Sequence, residues 1–140
     1  MKRNNFSNLN YKYSLCQLFL KDLIMALSTP ILKVRTRFGI KIVKSSQITH
    51  IIANNVNSLV FFADEEPLLT NHSLKWFERK LTANYFCRCH RSFLVNLLHV
   101  KFYCNGYFVM PVKPDIKISR QRKNIVLSRY YEIIEKKASN

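Results

Sequence analysis

The chain has 140 residues, enough for one domain and a short extra segment, and 48% of them are hydrophobic, so it has the material for a folded core. With only 2 Gly and 4 Pro it is neither collagen-like nor built on a glycine-rich phosphate loop or dinucleotide fingerprint. The 23 Lys+Arg against 8 Asp+Glu leave a formal charge of +15, a self-repulsion that points to a polyanionic partner, either nucleic acid or an anionic membrane surface.

In residues 1–30, Leu15, Leu18, Phe19, Leu23 and Leu27 recur at helical spacing, which predicts an amphipathic helix over 14–27. Its polar face lacks the dense Lys/Arg cluster of a membrane-surface helix, so it reads as a packing or self-association element. Lys21 and Asp22 interrupt the apolar stretch, so it is not a secretory signal, and Met25 offers an alternative start. No run reaches the roughly 18 apolar residues of a membrane span. A reducing cytoplasm is therefore expected, with Cys16, Cys87, Cys89 and Cys104 as free thiols.

After Pro30 the pattern changes to strands. β-Branched and aromatic runs occupy 31–37, 40–43, 48–53 and 58–63, with a polar loop at 54–57, an acidic turn at 64–67 and a short strand at 67–70. A helix is predicted over 72–81, capped by Ser73 or Asn71. Segment 85–97 is apolar and basic by turns. Asn105-Gly106 is a strong hairpin signal between 100–104 and 107–112, and 116–118 is one more strand. The chain ends in a helical stretch over 119–137, with Ile125, Leu127, Tyr131 and Ile134 as apolar anchors. The domain proper is placed at 31–126, between an N-terminal helical segment, 1–30, and a helical tail, 127–140.

Catalysis finds little support in these residues. Metal-assisted phosphoryl chemistry needs converging carboxylates, whereas Asp64, Glu65 and Glu66 are consecutive and diverge as a solubilising turn. Cys87, Cys89 and His90, with His99 and Cys104 downstream, lack the two paired knuckles of a zinc site. On a strand Cys87 and Cys89 share one face and His90 takes the other, so buried free thiols are the plainer reading. A Cys–His nucleophile would lack a glycine-lined oxyanion nest. No catalytic residue, metal, cofactor or small-molecule substrate is expected.

The basic residues carry more information. Lys33, Arg35, Arg37, Lys41 and Lys44 come early, Arg79, Lys80, Arg88 and Arg91 in the middle, and Lys101, Lys113, Lys117, Arg120, Arg122, Lys123 and Arg129 late. Around Arg120, Arg122 and Lys123 stand Ser119, Gln121 and Asn124. Arg reads guanine edges, Asn and Gln read adenine, and Lys, Ser and backbone amides hold phosphate. Phe61 and Phe62 lack basic neighbours, so a single-strand stacking platform is a poor fit.

The run Phe86-Cys-Arg-Cys-His-Arg-Ser-Phe-Leu-Val-Asn96 closely resembles the signature of the LytTR DNA-binding family: an aromatic residue, Arg-x-His-Arg-Ser, an aromatic residue, then Leu-Val-Asn. Upstream, Ser73-Leu74-Lys75 and the helix after it resemble the family's central helix. Downstream, the Asn105-Gly106 hairpin and Ile118-Ser-Arg-Gln-Arg-Lys123 resemble its closing segment. The first loop departs from the pattern by lacking a glycine, and the turn before Ile116 reads Lys-Pro-Asp.

The resemblance, over about 31–126, implies a mainly β fold, an elongated arrangement of about ten short strands with one central helix, to which the spacing above adds the N- and C-terminal helical segments. It implies the output domain of LytR/AlgR-type bacterial transcription regulators, which reads successive major grooves of double-stranded DNA through loops. The matching base-contact positions are Arg91, Arg120 and, in the first loop, Asn57 or its neighbours Asn54 and Asn55. Around them Arg122, Lys123, Arg88, Ser92, Ser119 and Lys44 are expected to hold phosphates. Thirty residues leave no room for a receiver domain, so a stand-alone cytoplasmic regulator is expected, acting as a homodimer on paired half-sites and without a membrane. Its rivals are a non-specific RNA or single-strand binder and a partner-tethered regulatory protein.

Overall fold

The computed structural model describes residues 31–81 and 85–138; the helix expected at 14–27 lies outside them. The β-branched runs after Pro30 pair into antiparallel hairpins. Strands β1 (Ile31–Thr36) and β2 (Gly39–Lys44) form a two-stranded ribbon. Strands β3 (Ile48–Asn54), β4 (Asn57–Phe62), β5 (Leu68–Thr70), β6 (Phe86–His90) and β7 (Phe93–Asn96) form a central sheet in the order β5-β4-β3-β7-β6. A third sheet, in the order β10-β9-β8, contains β8 (Phe102–Cys104), β9 (Tyr107–Val109) and β10 (Ile116–Lys117). These ten strands make the fold mainly β, as the resemblance implies.

Helix α1 (Leu74–Leu81) starts where Ser73 Oγ accepts the Trp76 N–H at 3.1 Å, so Ser73 is the cap rather than Asn71. Leu74, Phe77 and Leu81 share its buried face. Asn105 and Gly106, with φ of 48° and 84°, make the tight turn between β8 and β9 that an Asn-Gly pair favours.

The central sheet is covered on both faces, because side chains alternate along its strands. One core joins Leu32, Val34 and Val43 of the ribbon to Ile51, Val60, Phe86 and Leu94 of the sheet and to Phe77 of α1. The other joins Cys87, Cys89 and Val95 to Phe108, Met110, Ile116 and Ile118, and to Val126 and Tyr130 of the C-terminal helix. Phe86 and Cys87, and likewise Leu94 and Val95, are neighbours in sequence that enter opposite cores. Cys87 and Cys89 do share a face, and both are buried. Cys89 bonds the Cys87 thiol and draws it down to about 7, with Arg129 and Arg122 adding to the effect, while the same contact and burial push Cys89 up.

Helix α2 (Lys123–Ala138) runs without interruption across position 126 and lies on the second core. It buries Val126 and Tyr130, while Ile125, Tyr131 and Ile134 are exposed. The apolar residues come in adjacent groups, Ile125-Val126-Leu127, Tyr130-Tyr131 and Ile133-Ile134, so helical periodicity fits two phases about one residue apart. Packing against Phe108 selects the Val126/Tyr130 phase; the Phe108 and Tyr130 rings stand 5.0 Å apart, edge to face.

His50 is fully buried in β3, stacked on Phe61 with ring centroids 4.5 Å apart. Thr49 Oγ1 donates its one proton to the Phe61 carbonyl at 3.2 Å, so at 2.9 Å it accepts from Nδ1–H of His50. Nε2 is then bare and has no partner among the described residues. Burial pulls the His50 pKa down to about 4, opposed only weakly by the charge of Asp115.

Two expected outcomes follow from this packing. Val126→Ala lowers unfolding free energy by about 1–3 kcal/mol, while Ile125→Ala changes it by under about 0.5 kcal/mol, as urea titration of both variants reads directly. Because folded His50 binds its proton only near pH 4 but an unfolded histidine binds it near 6.5, stability falls as pH drops through that window, by up to about 3 kcal/mol. Urea midpoints between pH 7 and pH 4 measure this, and His50→Gln should flatten the dependence.

Candidate nucleic-acid interface

Both faces of the central sheet are occupied, so polar groups with somewhere to go are at its ends. At one end the turn Asn55-Val56 closes β3–β4 and the turn Arg91-Ser92 closes β6–β7. The Ala53 N–H donates to the Ser92 carbonyl at 2.9 Å, holding the two turns side by side. Ser119 follows β10, and its N–H donates to the Cys89 carbonyl at 2.9 Å, which straps the 119–122 turn onto the edge strand β6. Arg122 Nη1 donates to the Arg88 carbonyl at 3.4 Å. Three segments distant in sequence therefore form one row along one end of the sheet.

Asn55 takes a φ of 57°, a left-handed conformation that Asn tolerates better than most residues in place of the absent glycine. It is exposed with Asn54, and Asn57 is half-buried at the start of β4. Arg91, Arg120, Arg122 and Lys123 are all exposed.

Arg88 has a different placement. Its Nη1 donates to Glu78 of α1 at 2.5 Å, its Nε to the His90 carbonyl at 2.9 Å and its Nη2 to the Arg91 carbonyl. The fork is engaged inside the protein and fixes the backbone on which Arg91 stands. The acid Glu78 thus pairs with Arg88, leaving Arg91 projecting from the turn.

His90 Nδ1 accepts the Ser92 N–H at 3.1 Å, which makes it a turn-holder. Partial burial lowers its pKa, and so do the charges of Arg91, Lys117, Arg122 and Arg88. Lys117 of β10 thus belongs to the same positive field, although no motif in the sequence singled it out. No acidic residue lies within 54–57, 88–92 or 117–124. Asp64, Glu65 and Glu66 follow β4 at the opposite end of the sheet.

Helix α2 adds to this field. Its N-terminus follows Arg122, and near its far end Lys137 Nζ donates to the Leu98 carbonyl at 3.4 Å, so it runs away from the row. The first intrahelical bond, Val126 N–H to the Arg122 carbonyl at 2.9 Å, leaves the preceding N–H groups ahead of it, with no acid in the first turn.

Two expected contacts are placed differently, Ser119 by its orientation and Lys44 by its position. Ser119 Oγ is buried and has no hydrogen-bond partner among the described residues, so it faces inward. Lys44 is opposite Ile31 at the open end of the ribbon, just before β3 begins. The length of β3, about 20 Å, separates it from the Asn55 turn. Ser92 is half-buried within the row, its carbonyl already used by Ala53.

Comparison with known proteins gives the domain a family. The model of the LytTr DNA-binding domain family matches residues 39–131. Among solved structures, the chain is similar to the LytTr DNA-binding domain of a methyl-accepting/DNA response regulator from Bacillus cereus. The TM-score is 0.59 and the identity 25%, over 71% of this chain and 94% of that one. No curated protein matches the chain. No described helix is long and apolar enough to cross a membrane. With its family match spanning most of the chain and its three-sheet fold shared with a solved member, this protein belongs to the LytTr DNA-binding domain family.

Proposed function

We propose that the chain is a cytoplasmic transcription regulator that reads double-stranded DNA by sequence through the row of turns at one end of its central sheet. The carrying observation is that Asn54–Asn57, Arg91 and Arg120–Lys123 come together there, with no acidic residue among them. Arg91, Arg120 and Asn57 or Asn55 take base edges in the grooves. Arg122, Lys123, the start of α2 and Ser92 take phosphates and fix the register. Arg88, bonded to Glu78 and two carbonyls, positions Arg91 and makes no DNA contact. Ser119 and Lys44 are outside the contact set for the reasons of placement given above.

Two protomers occupy paired half-sites, and the apolar helix expected within 1–30 joins them. Deleting residues 1–28 should then abolish cooperativity on paired half-sites while single-site affinity persists; unchanged cooperativity in a gel-shift titration discards that role.

The deciding experiment is selection from randomised duplex DNA at physiological salt with excess competitor. Salt matters, because a +15 chain binds any polyanion at low ionic strength. Enrichment of a motif, in the form of a spaced repeat, is expected; no enrichment together with loss of binding in salt would leave non-specific nucleic-acid binding. On the selected site Arg120→Ala should cost about 1–3 kcal/mol and relax preference at one base pair. An equal loss on every sequence would make Arg120 a phosphate contact.

A further inference from the structure

The row of turns does not stop at Asn55. Strand β5 lies beyond β4, and its Thr70 is opposite Ser58, next to Asn57. The following Asn71 N–H donates to the Arg35 carbonyl at 2.8 Å, so the far part of β1 is docked where β5 reaches that end of the sheet. The Arg35 N–H in turn donates to His72 Nε2 at 3.0 Å, and the His72 ring stacks on Trp76 of α1 with centroids 3.7 Å apart. Two residues further on, about 7 Å of chain, is the tip of the β1–β2 hairpin.

That tip is rigid and carries an unneutralised cation. Thr36 Oγ1 donates to the Gly39 carbonyl at 2.9 Å and accepts the Phe38 N–H at 3.2 Å, and Gly39, with φ of 122°, closes the turn. Phe38 is 86% exposed and packs into neither core. The Arg37 guanidinium lies over its ring, 4.7 Å from the centroid. Among the described residues Arg37 has no carboxylate partner, whereas Lys41 lower on the ribbon is paired with Glu65 at 3.1 Å. An aromatic ring this exposed contributes nothing to the core, but it holds the guanidinium at the outermost point of the hairpin.

We propose that this tip is a further contact to the DNA backbone, in which Arg37, supported on Phe38, takes a phosphate beyond the base pairs read by the Asn54–Asn57 turn. The contact rests on the duplex-DNA reading above and lengthens the footprint on its β5 side. It positions without reading sequence, since a single guanidinium on a phosphate carries no base information.

The test compares wild type, Arg37→Ala and Lys101→Ala. Lys101 is exposed just before β8, at the end of the third sheet away from the Asn105-Gly106 turn, and serves as a control for charge alone. Affinity is measured against salt on the selected duplex and on a mixed-sequence duplex. Arg37→Ala should lower the salt slope by about one, and affinity about sevenfold near ~0.12 M salt, equally on both duplexes and with base preference unchanged. Trimming the selected duplex on the side read by Asn57, identified by the preference lost in Asn57→Ala, should remove the difference between Arg37→Ala and wild type. A slope equal to wild type, or a loss no greater than that of Lys101→Ala, overturns the hairpin contact and leaves the sequence-reading proposal standing. Failure of selection overturns sequence reading alone, because the mixed-sequence duplex still scores the hairpin.

Discussion

The central sheet is buried on both faces, and everything else in the molecule follows from that constraint. An antiparallel sheet commonly leaves one face in water. Here the ribbon and α1 cover one face, and the third sheet and α2 cover the other. Most of both faces is thereby taken up by packing, with Leu69 of the edge strand β5 left exposed. Chemistry is displaced to the turns at the strand ends, where chain reversals bring polar and basic side chains out of the sandwich. The acidic turn after β4 lies at one end and the basic turns at the other.

Within the basic end, the backbone under Arg91 is positioned by side chains engaged inside the protein. Arg88 uses every arm of its fork on Glu78 and on the carbonyls of His90 and Arg91. His90 takes the Ser92 N–H, and Ala53 takes the Ser92 carbonyl. These bonds fix the backbone of one short turn from three sides, so Arg91 leaves a rigid base. A rigid base reduces the ordering cost of engaging a long cationic side chain. Partial burial, and after it the field of surrounding cations, lowers the His90 pKa and so favours the neutral ring whose Nδ1 accepts the Ser92 N–H.

Much of this was legible in the residues. The strands, the helix at 74–81 and the Asn-Gly hairpin each follow from local chemistry, which leaves Ser73 and Asn71 both open as the cap, and the signature from Phe86 to Asn96 points to the family. The phase of α2 was not legible, because its apolar residues come in adjacent groups, and only the Phe108 ring across the core decides between them. Nor was the division between Arg88 and Arg91. Both are arginines near one strand end, and which of them takes Glu78 depends on where a helix ten residues upstream docks. The basic neighbours of Ser119 suggest a phosphate ligand, but its hydroxyl is buried where its N–H straps onto the Cys89 carbonyl, a placement that neighbouring residue types do not reveal.

The same logic explains why basic residues so dispersed in sequence can act together. Antiparallel pairing brings strand ends that are tens of residues apart to within a strand spacing, about 5 Å. Asn55, Arg91 and Arg120 are spaced by such pairings, through β3 to β7 and then from β6 to the strap at Ser119. The spacing of the turns is therefore a property of hydrogen-bonded backbone rather than of flexible side chains. For the proposed duplex partner, a polymer with a regular helical repeat, a row of fixed turns is a geometry that can hold successive contacts in register. A disordered tail of equal charge would bind such a polymer too, but it could not hold successive contacts in register, and the two cores of this fold serve to hold that row in place.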